Sequence, residues 1–359
     1  MNTIKGLVDN YMNIYYVKDE SFNDINAMKL LQKILHRMFS KRLEITIAVP
    51  ILLLDFEVDE YQFNDKIKIR RMTDEEQLSR YDIGSYDSTS ELFIVEEALY
   101  VLELGSYTIE NNNFVGVSSI LYRHDAYPVQ EIDEWFAALR VVTGFETGYT
   151  QILAIPNEWY DMEKADLLPM KGAKVYKFNY NLVKHGKWNN DINKVSKEQL
   201  HVIKRVFDYM NEKVQKSVKI AINRLNRCFL REDIDDATID AVIAIEALLT
   251  ENDLGEITYK VSNRASAVIS TVCKGKYSAV EIRDAMKRIY AYRSKVVHGS
   301  DMKEKDINIK VNERITKNAT DLAIEFLRYI ILAITENNEL AKANKIDEYM
   351  CEKFDSSKS

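Results

Sequence analysis

Proline divides this chain into two regimes. All four prolines (Pro50, Pro128, Pro156 and Pro169) and eight of the eleven glycines lie in the first half. From Asn189 onward there is no proline, and the only glycines are Gly255, Gly275 and Gly299. Proline lacks the amide hydrogen and its ring clashes with the preceding turn, so it breaks helix interiors. A proline-free stretch of this length permits a succession of long helices, whereas the first half carries the punctuation of strands and turns. The expected fold class is α+β. A mixed N-terminal domain would occupy residues 1–190, an all-α domain residues 196–345 and a flexible tail residues 346–359.

Periodicity fills in the two halves. Helical spacing over Phe22–Leu43 puts Ile25, Met28, Leu31, Ile34 and Leu35 on one stripe. Glu44–Phe56, Gln62–Arg70, Leu92–Glu103, Gln151–Ile155 and Lys174–Tyr180 read as strands. Thr73 to Glu76 has capping-box spacing and opens a short helix to Tyr81. Glu131–Val142 reads as a further helix. The second half reads as five helices: Lys197–Leu230, Ala237–Thr250, Thr258–Thr271, Ala279–Val297 and Asn312–Asn337.

Composition removes several function classes. The formal net charge is −7, the wrong sign for a protein that coats nucleic acid by neutralising phosphates, so any nucleic-acid contact is local. Cys228, Cys273 and Cys351 are odd in number and widely spaced, which fits neither a disulfide framework nor a zinc site. The residues Met1–Tyr16 do not read as a signal peptide, and the apolar runs Ile47–Leu54 and Tyr329–Ile334 are too short to span a bilayer. The expectation is a soluble, cytoplasmic protein with no membrane partner. There is no G-x-G-x-x-G, G-x-x-x-x-G-K-[ST], H-E-x-x-H, paired C-x-x-C or G-x-S-x-G. Neither a cofactor nor a metal site is expected.

Within Lys197–Leu230, Val214, Val218, Ala221, Leu225 and Phe229 share one face, while Lys213, Lys216, Arg224, Arg227 and Arg231 lie opposite. One reading is the solvated side of an amphipathic helix. The other makes Lys216, Arg224, Arg227 and Arg231 a strip that tracks RNA phosphates.

The segment Arg288-Ile-Tyr-Ala-Tyr-Arg-Ser-Lys-Val-Val-His-Gly299 places Arg293 five residues before His298, at the end of a helix that Gly299 is suited to stop. That spacing alone carries little information. Two upstream segments add to it: Asp240-Ala-Val-Ile-Ala-Ile-Glu-Ala-Leu-Leu249, and Thr258-Tyr-Lys-Val-Ser-Asn-Arg-Ala-Ser-Ala267. Taken in this order the three segments resemble the Apea-like branch of the HEPN family over about a third of the chain, residues 220–334. The first half resembles the leader region of such proteins loosely, through Ile67–Glu76.

The resemblance implies a helical bundle, a homodimer and metal-independent RNA cleavage. His298 would act as general base or acid and Arg293 as phosphate clamp, with Ser294, Lys295, Glu246 and Arg264 in support. Many catalytic members carry Asn, Asp or His directly after the arginine, where this chain has Ser294. The family also implies a role in antiviral defence, with tRNA or another single-stranded or loop RNA as substrate. The N-terminal domain would then receive a phage-derived or cellular trigger.

The residues fit that chemistry. Attack by a 2′-hydroxyl needs a base that titrates near neutrality, and the phosphorane needs a permanent cation. Other readings stand beside it. His298 also suits a helix C-terminus by charge alone. Glu246, on the apolar stripe with Ile239, Val242 and Ile243, needs a partner, either Arg264 or Arg293. The whole domain could equally be a catalytically silent dimerisation or nucleotide-binding module, or a regulatory subunit. Trp135, Trp159 and Trp188 suit core packing or base stacking. His36, His124, His185 and His201 belong to no constellation.

Overall fold

Ten strands and eleven longer helices make up the computed structural model, which describes residues 2–16, 21–81, 83, 95–111, 116–159, 167–184, 192–212, 214–250 and 255–356. The chain is α+β, and it forms two units, Met1–Val129 with Thr147–Lys197, and Gln130–Glu146 with Glu198–Ser359.

In the first unit, helix α1 (Asn2–Tyr11) and α2 (Asp24–Phe39) precede strands β1 (Arg42–Ile51), β2 (Leu54–Phe56), β3 (Glu60–Gln62) and β4 (Ile67–Arg71). Leu53 breaks the expected single strand Glu44–Phe56 by adopting φ 60°. The expected strand Gln62–Arg70 is instead a hairpin, because Asn64 Oδ1 accepts from the amides of Lys66 and Ile67 and turns the chain. Helix α3 (Asp74–Arg80) opens with the expected capping box: Thr73 Oγ1 accepts from the Glu76 amide, and Glu76 accepts from the Thr73 amide. Strand β5 runs over Tyr100–Glu110, later than Leu92–Glu103, whose Leu92–Ile94 lie outside the described residues.

Helix α4 (Val129–Thr143) is followed by β6 (Tyr149–Pro156), β7 (Lys171–Lys177) and β8 (Asn193–Val195). Six strands make one antiparallel sheet in the order β3-β4-β5-β1-β6-β7, and β2 pairs with β8 in parallel. Ala48, Leu52, Val101 and Leu153 pack in its core.

The second unit begins with α4, whose residues from Gln130 on belong here although strands flank it in sequence. The helices α5 (Lys197–Asn211), α6 (Lys216–Leu230), α7 (Ile234–Leu249), α8 (Ile257–Ile269) and α9 (Ala279–His298) follow. Next come the hairpin β9 (Asn308–Lys310) and β10 (Thr316–Asn318), then α10 (Ala319–Glu336) and α11 (Ala343–Ser356).

Four sequence expectations are corrected here. Lys197–Leu230 is two helices, with Lys213 outside the described residues. The second unit is not all-α, because the hairpin lies ahead of α10. Asn312 Oδ1 accepts from the Arg314 and Ile315 amides to make its turn, so the helix starts at Ala319 and not at Asn312. The tail is helical to Ser356, with Ile346 fully buried. Finally, α4 is tied into this unit by Arg328 of α10. Its guanidinium donates to the carbonyls of Arg140, Val141 and Val142 and so closes the open end of α4. Gly144 follows at φ 68°, a left-handed conformation that strains other residues, and a Cβ there would also displace the Arg328 guanidinium.

Candidate functional site

Helix α9 carries the motif, and both of its ends are fixed by sequence. Ser278 and Glu281 form a capping box at the start. At the other end Gly299, at φ 60°, donates to Val296, and Ser300 donates to Lys295. This pattern of paired bonds around a left-handed residue ends a helix in a Schellman motif. Nothing stands within 4 Å of a Cβ built on Gly299, so backbone conformation and not space selects glycine.

The buried stripe of α9 runs through Ile282, Ala285, Met286, Ile289 and Tyr290. Arg293 is the next position on that stripe, three residues past Tyr290 and four past Ile289. It is half-buried. Its Nε is enclosed without a hydrogen-bond partner, and among the described residues no carboxylate forms an ion pair with its guanidinium. The Tyr290 hydroxyl is likewise enclosed and makes no hydrogen bond of normal geometry. Burial pushes the Tyr290 pKa up, the nearby Glu246 carboxylate pushes it further, and Arg293 opposes both. Glu246 on α7 and Tyr290 and Arg293 on α9 therefore form one electrostatic cluster.

Arg264 is not part of that cluster. It is buried on α8, donates from Nε and Nη2 to the two carboxylate oxygens of Asp347 at 2.8 Å each, and donates from Nη1 to the Leu249 carbonyl at 2.7 Å. Of the two partners offered for Glu246, Arg264 is taken up by Asp347. Glu246 faces Tyr290 beside Arg293 instead, without an ion pair to either arginine.

His298 is the last residue of α9 and is exposed, as is Ser294 one turn earlier. In a continuous helix five residues rotate by about 500°, so Arg293 and His298 point roughly 140° apart. Ser294 and His298, four apart, share the outer face. Lys295 is committed to structure, because its Nζ lies 2.6 Å from Asp306 and holds that carboxyl below the usual carboxylate range.

The cationic strip is half consumed. Arg224 Nη1 lies 2.5 Å from Asp240 Oδ1, and Arg231 donates to Asp240 Oδ2 at 3.2 Å while approaching Asp236. Asp240 is buried, so these bonds hold α6 against α7. Lys216 and Arg227 are exposed and remain available to a ligand. Trp135 and Trp159 are buried and cannot stack bases. Trp188 and His185 lie outside the described residues.

Sequence reasoning missed Tyr290, Asp240 and Asp347. The i−3 spacing of Tyr290 to Arg293 pointed to the first, and a lone aspartate on the apolar face of α7 to the second; the 83-residue separation of Arg264 from Asp347 gave no local signal. Among the described residues no group of three or more His, Cys, Asp or Glu side chains is arranged to hold a metal, and no helix is long and apolar enough to cross a membrane. No known family model, curated protein or solved structure matches the chain.

Proposed function

We propose that the chain is a metal-independent endoribonuclease of HEPN type, built on Arg293 and His298. The observation that carries this reading is the Arg293 guanidinium. It is half-buried at the end of a core stripe, with an enclosed Nε that no acceptor among the described residues satisfies. A buried donor without an acceptor destabilises a fold by about 1–3 kcal/mol, and a bound phosphate would supply the missing acceptor. Arginine also presents a planar fork to phosphate oxygens.

In the proposed reaction His298 removes the 2′-hydroxyl proton and the freed oxygen attacks the adjacent phosphorus. Arg293 holds the added negative charge on the phosphorane. The P–O5′ bond then breaks and the leaving oxygen takes up a proton. The products are a 2′,3′-cyclic phosphate and a 5′-hydroxyl. The attack geometry demands a flexible backbone, which favours single-stranded or loop RNA such as tRNA. Exposed Lys216 and Arg227 are the remaining candidates for phosphate contact outside the site.

The rotation of roughly 140° between the two side chains favours a site completed across two copies, Arg293 from one and His298 from the other. Mixing Arg293→Ala with His298→Ala protein should then restore cleavage that neither shows alone. A strict monomer that cuts RNA would defeat the two-copy site. The defence role and a trigger acting on the first unit rest on family resemblance. The same rotation also suits a second reading, a silent dimeric module that binds a nucleotide phosphate at Arg293. Retained RNA binding with no cleavage by wild type under any trigger would favour it.

A further inference from the structure

We propose that helix α2, with its neighbour α1, is a docking surface that lies flat on an anionic lipid bilayer. The inference is independent of the nuclease reading. Exposed large hydrophobic residues are concentrated at this place. Of the twenty-one in the described chain, nine lie between Val8 and Phe39. Helix α2 buries Leu30 and Ile34 against Tyr11 of α1, leaving its other apolar face uncovered. Ile25 is 65% exposed, Met28 54%, Leu35 41% and Phe39 76%, with Met38 at 43% and Phe22, ahead of the helix, at 64%. At about 100° per residue, Ile25, Met28, Leu35 and Phe39 fall within an arc of roughly 80°. The stripe read from sequence therefore splits: Ile34 turns inward, while Ile25, Met28 and Leu35 face out.

Charge says what covers that face. Over residues 24–42 there are five cations (Lys29, Lys33, Arg37, Lys41 and Arg42) against one acid, Asp24, in a chain whose net charge is −7. Lys29 sits at the edge of the apolar arc, about 40° past Ile25, and Lys41 and Arg42 follow its Phe39 end. All three are exposed and form no ion pair among the described residues. A second copy of α2 would bring these like charges together, whereas anionic headgroups neutralise them while the acyl boundary takes up the apolar arc.

The C-terminal half of the helix is fastened, beside the apolar arc, to residues that follow two strands of its own unit. Asn111 Nδ2 donates to the carbonyls of Arg37 and Ser40, His36 Nδ1 lies 3.1 Å from the Glu158 carbonyl, and Lys33 approaches the Glu158 carboxylate at 3.9 Å. These contacts leave Ile25, Met28, Leu35 and Phe39 exposed. Such a helix rests on a bilayer without crossing it, so the absence of a spanning segment does not oppose the docking.

The test is flotation of the full chain with vesicles of phosphatidylcholine containing one-fifth phosphatidylglycerol, against phosphatidylcholine alone, at about 0.1 M salt. Binding to the anionic vesicles only, released by high salt, is expected. Phe39→Asp and Ile25→Asp should abolish it, and Lys29→Gln with Lys41→Gln should weaken it roughly tenfold or more. Leu78→Asp, at a 64% exposed site elsewhere in the same unit, should change nothing. Circular dichroism of each variant separates lost docking from lost fold. The proposal is overturned if the folded wild type ignores anionic vesicles, or if Leu78→Asp abolishes binding as Phe39→Asp does. It is also overturned if Phe39→Asp converts a dimer to a monomer while no form binds vesicles, an outcome that assigns the stripe to a second copy.

Discussion

At the residue scale, two arginines that look alike in sequence have opposite surroundings. Arg264 is bonded to Asp347 and the Leu249 carbonyl, whereas the Arg293 Nε has no hydrogen-bond partner among the described residues. Hydrogen bonds to charged groups contribute about 1.5–3 kcal/mol, so Arg264→Met should lower the unfolding free energy by about that amount. Arg293→Met removes an unsatisfied donor and should leave the urea midpoint unchanged or raise it while abolishing RNA cleavage. A midpoint for Arg293→Met that falls as far as that of Arg264→Met would make Arg293 a structural residue. Glu246→Gln should retain the fold and lose cleavage, since its charge acts at Tyr290 beside Arg293. The roles proposed for Arg293 and His298 come from the resemblance alone. A structural role for Arg264 was one of the sequence readings, but its partner Asp347 was not legible, because it lies on a distant helix.

At the element scale, local chemistry was the legible part. The Thr73–Glu76 capping box, the Gly299 stop and the long proline-free helices follow from residue types alone. What stayed hidden were breaks made by side chains, such as the Asn312 turn that takes a hairpin out of an expected helix. The hairpin is anchored by Glu325 of α10, which is buried and accepts from Lys276 at 2.5 Å, Lys317 at 2.6 Å, and the Tyr277 and Tyr329 hydroxyls at 3.1 Å. Burial opposes the charge on Glu325, but the two lysines outweigh it and hold the carboxyl below the usual carboxylate range. Its folded pKa is therefore lower than its unfolded pKa. The stabilisation is complete above the unfolded value, about 4.3, and is lost as pH falls through the depressed folded value. Wild type and Glu325→Gln should differ in unfolding free energy at neutral pH and converge in acid. A constant gap across that range would show that the carboxylate's charge is not what matters.

At the scale of the whole molecule, the partition of proline and glycine announced two units, but not that α4 leaves the strand-rich half to join the helical one. Long-range contacts account for that, among them the capping of α4 by Arg328 and the bond from Arg140 of α4 to Asn226 of α6, and nothing near these residues in sequence points to them. The proposed function lies in the helical unit, where Arg293 and His298 would cleave RNA without a metal. Its most direct test incubates wild type, Arg293→Ala and His298→Ala with total cellular RNA in excess EDTA, with and without candidate triggers, and maps the product ends. Cleavage by wild type alone is expected, leaving 2′,3′-cyclic phosphate and 5′-hydroxyl ends. Equal cleavage by all three proteins, or none by wild type under every trigger, would contradict it.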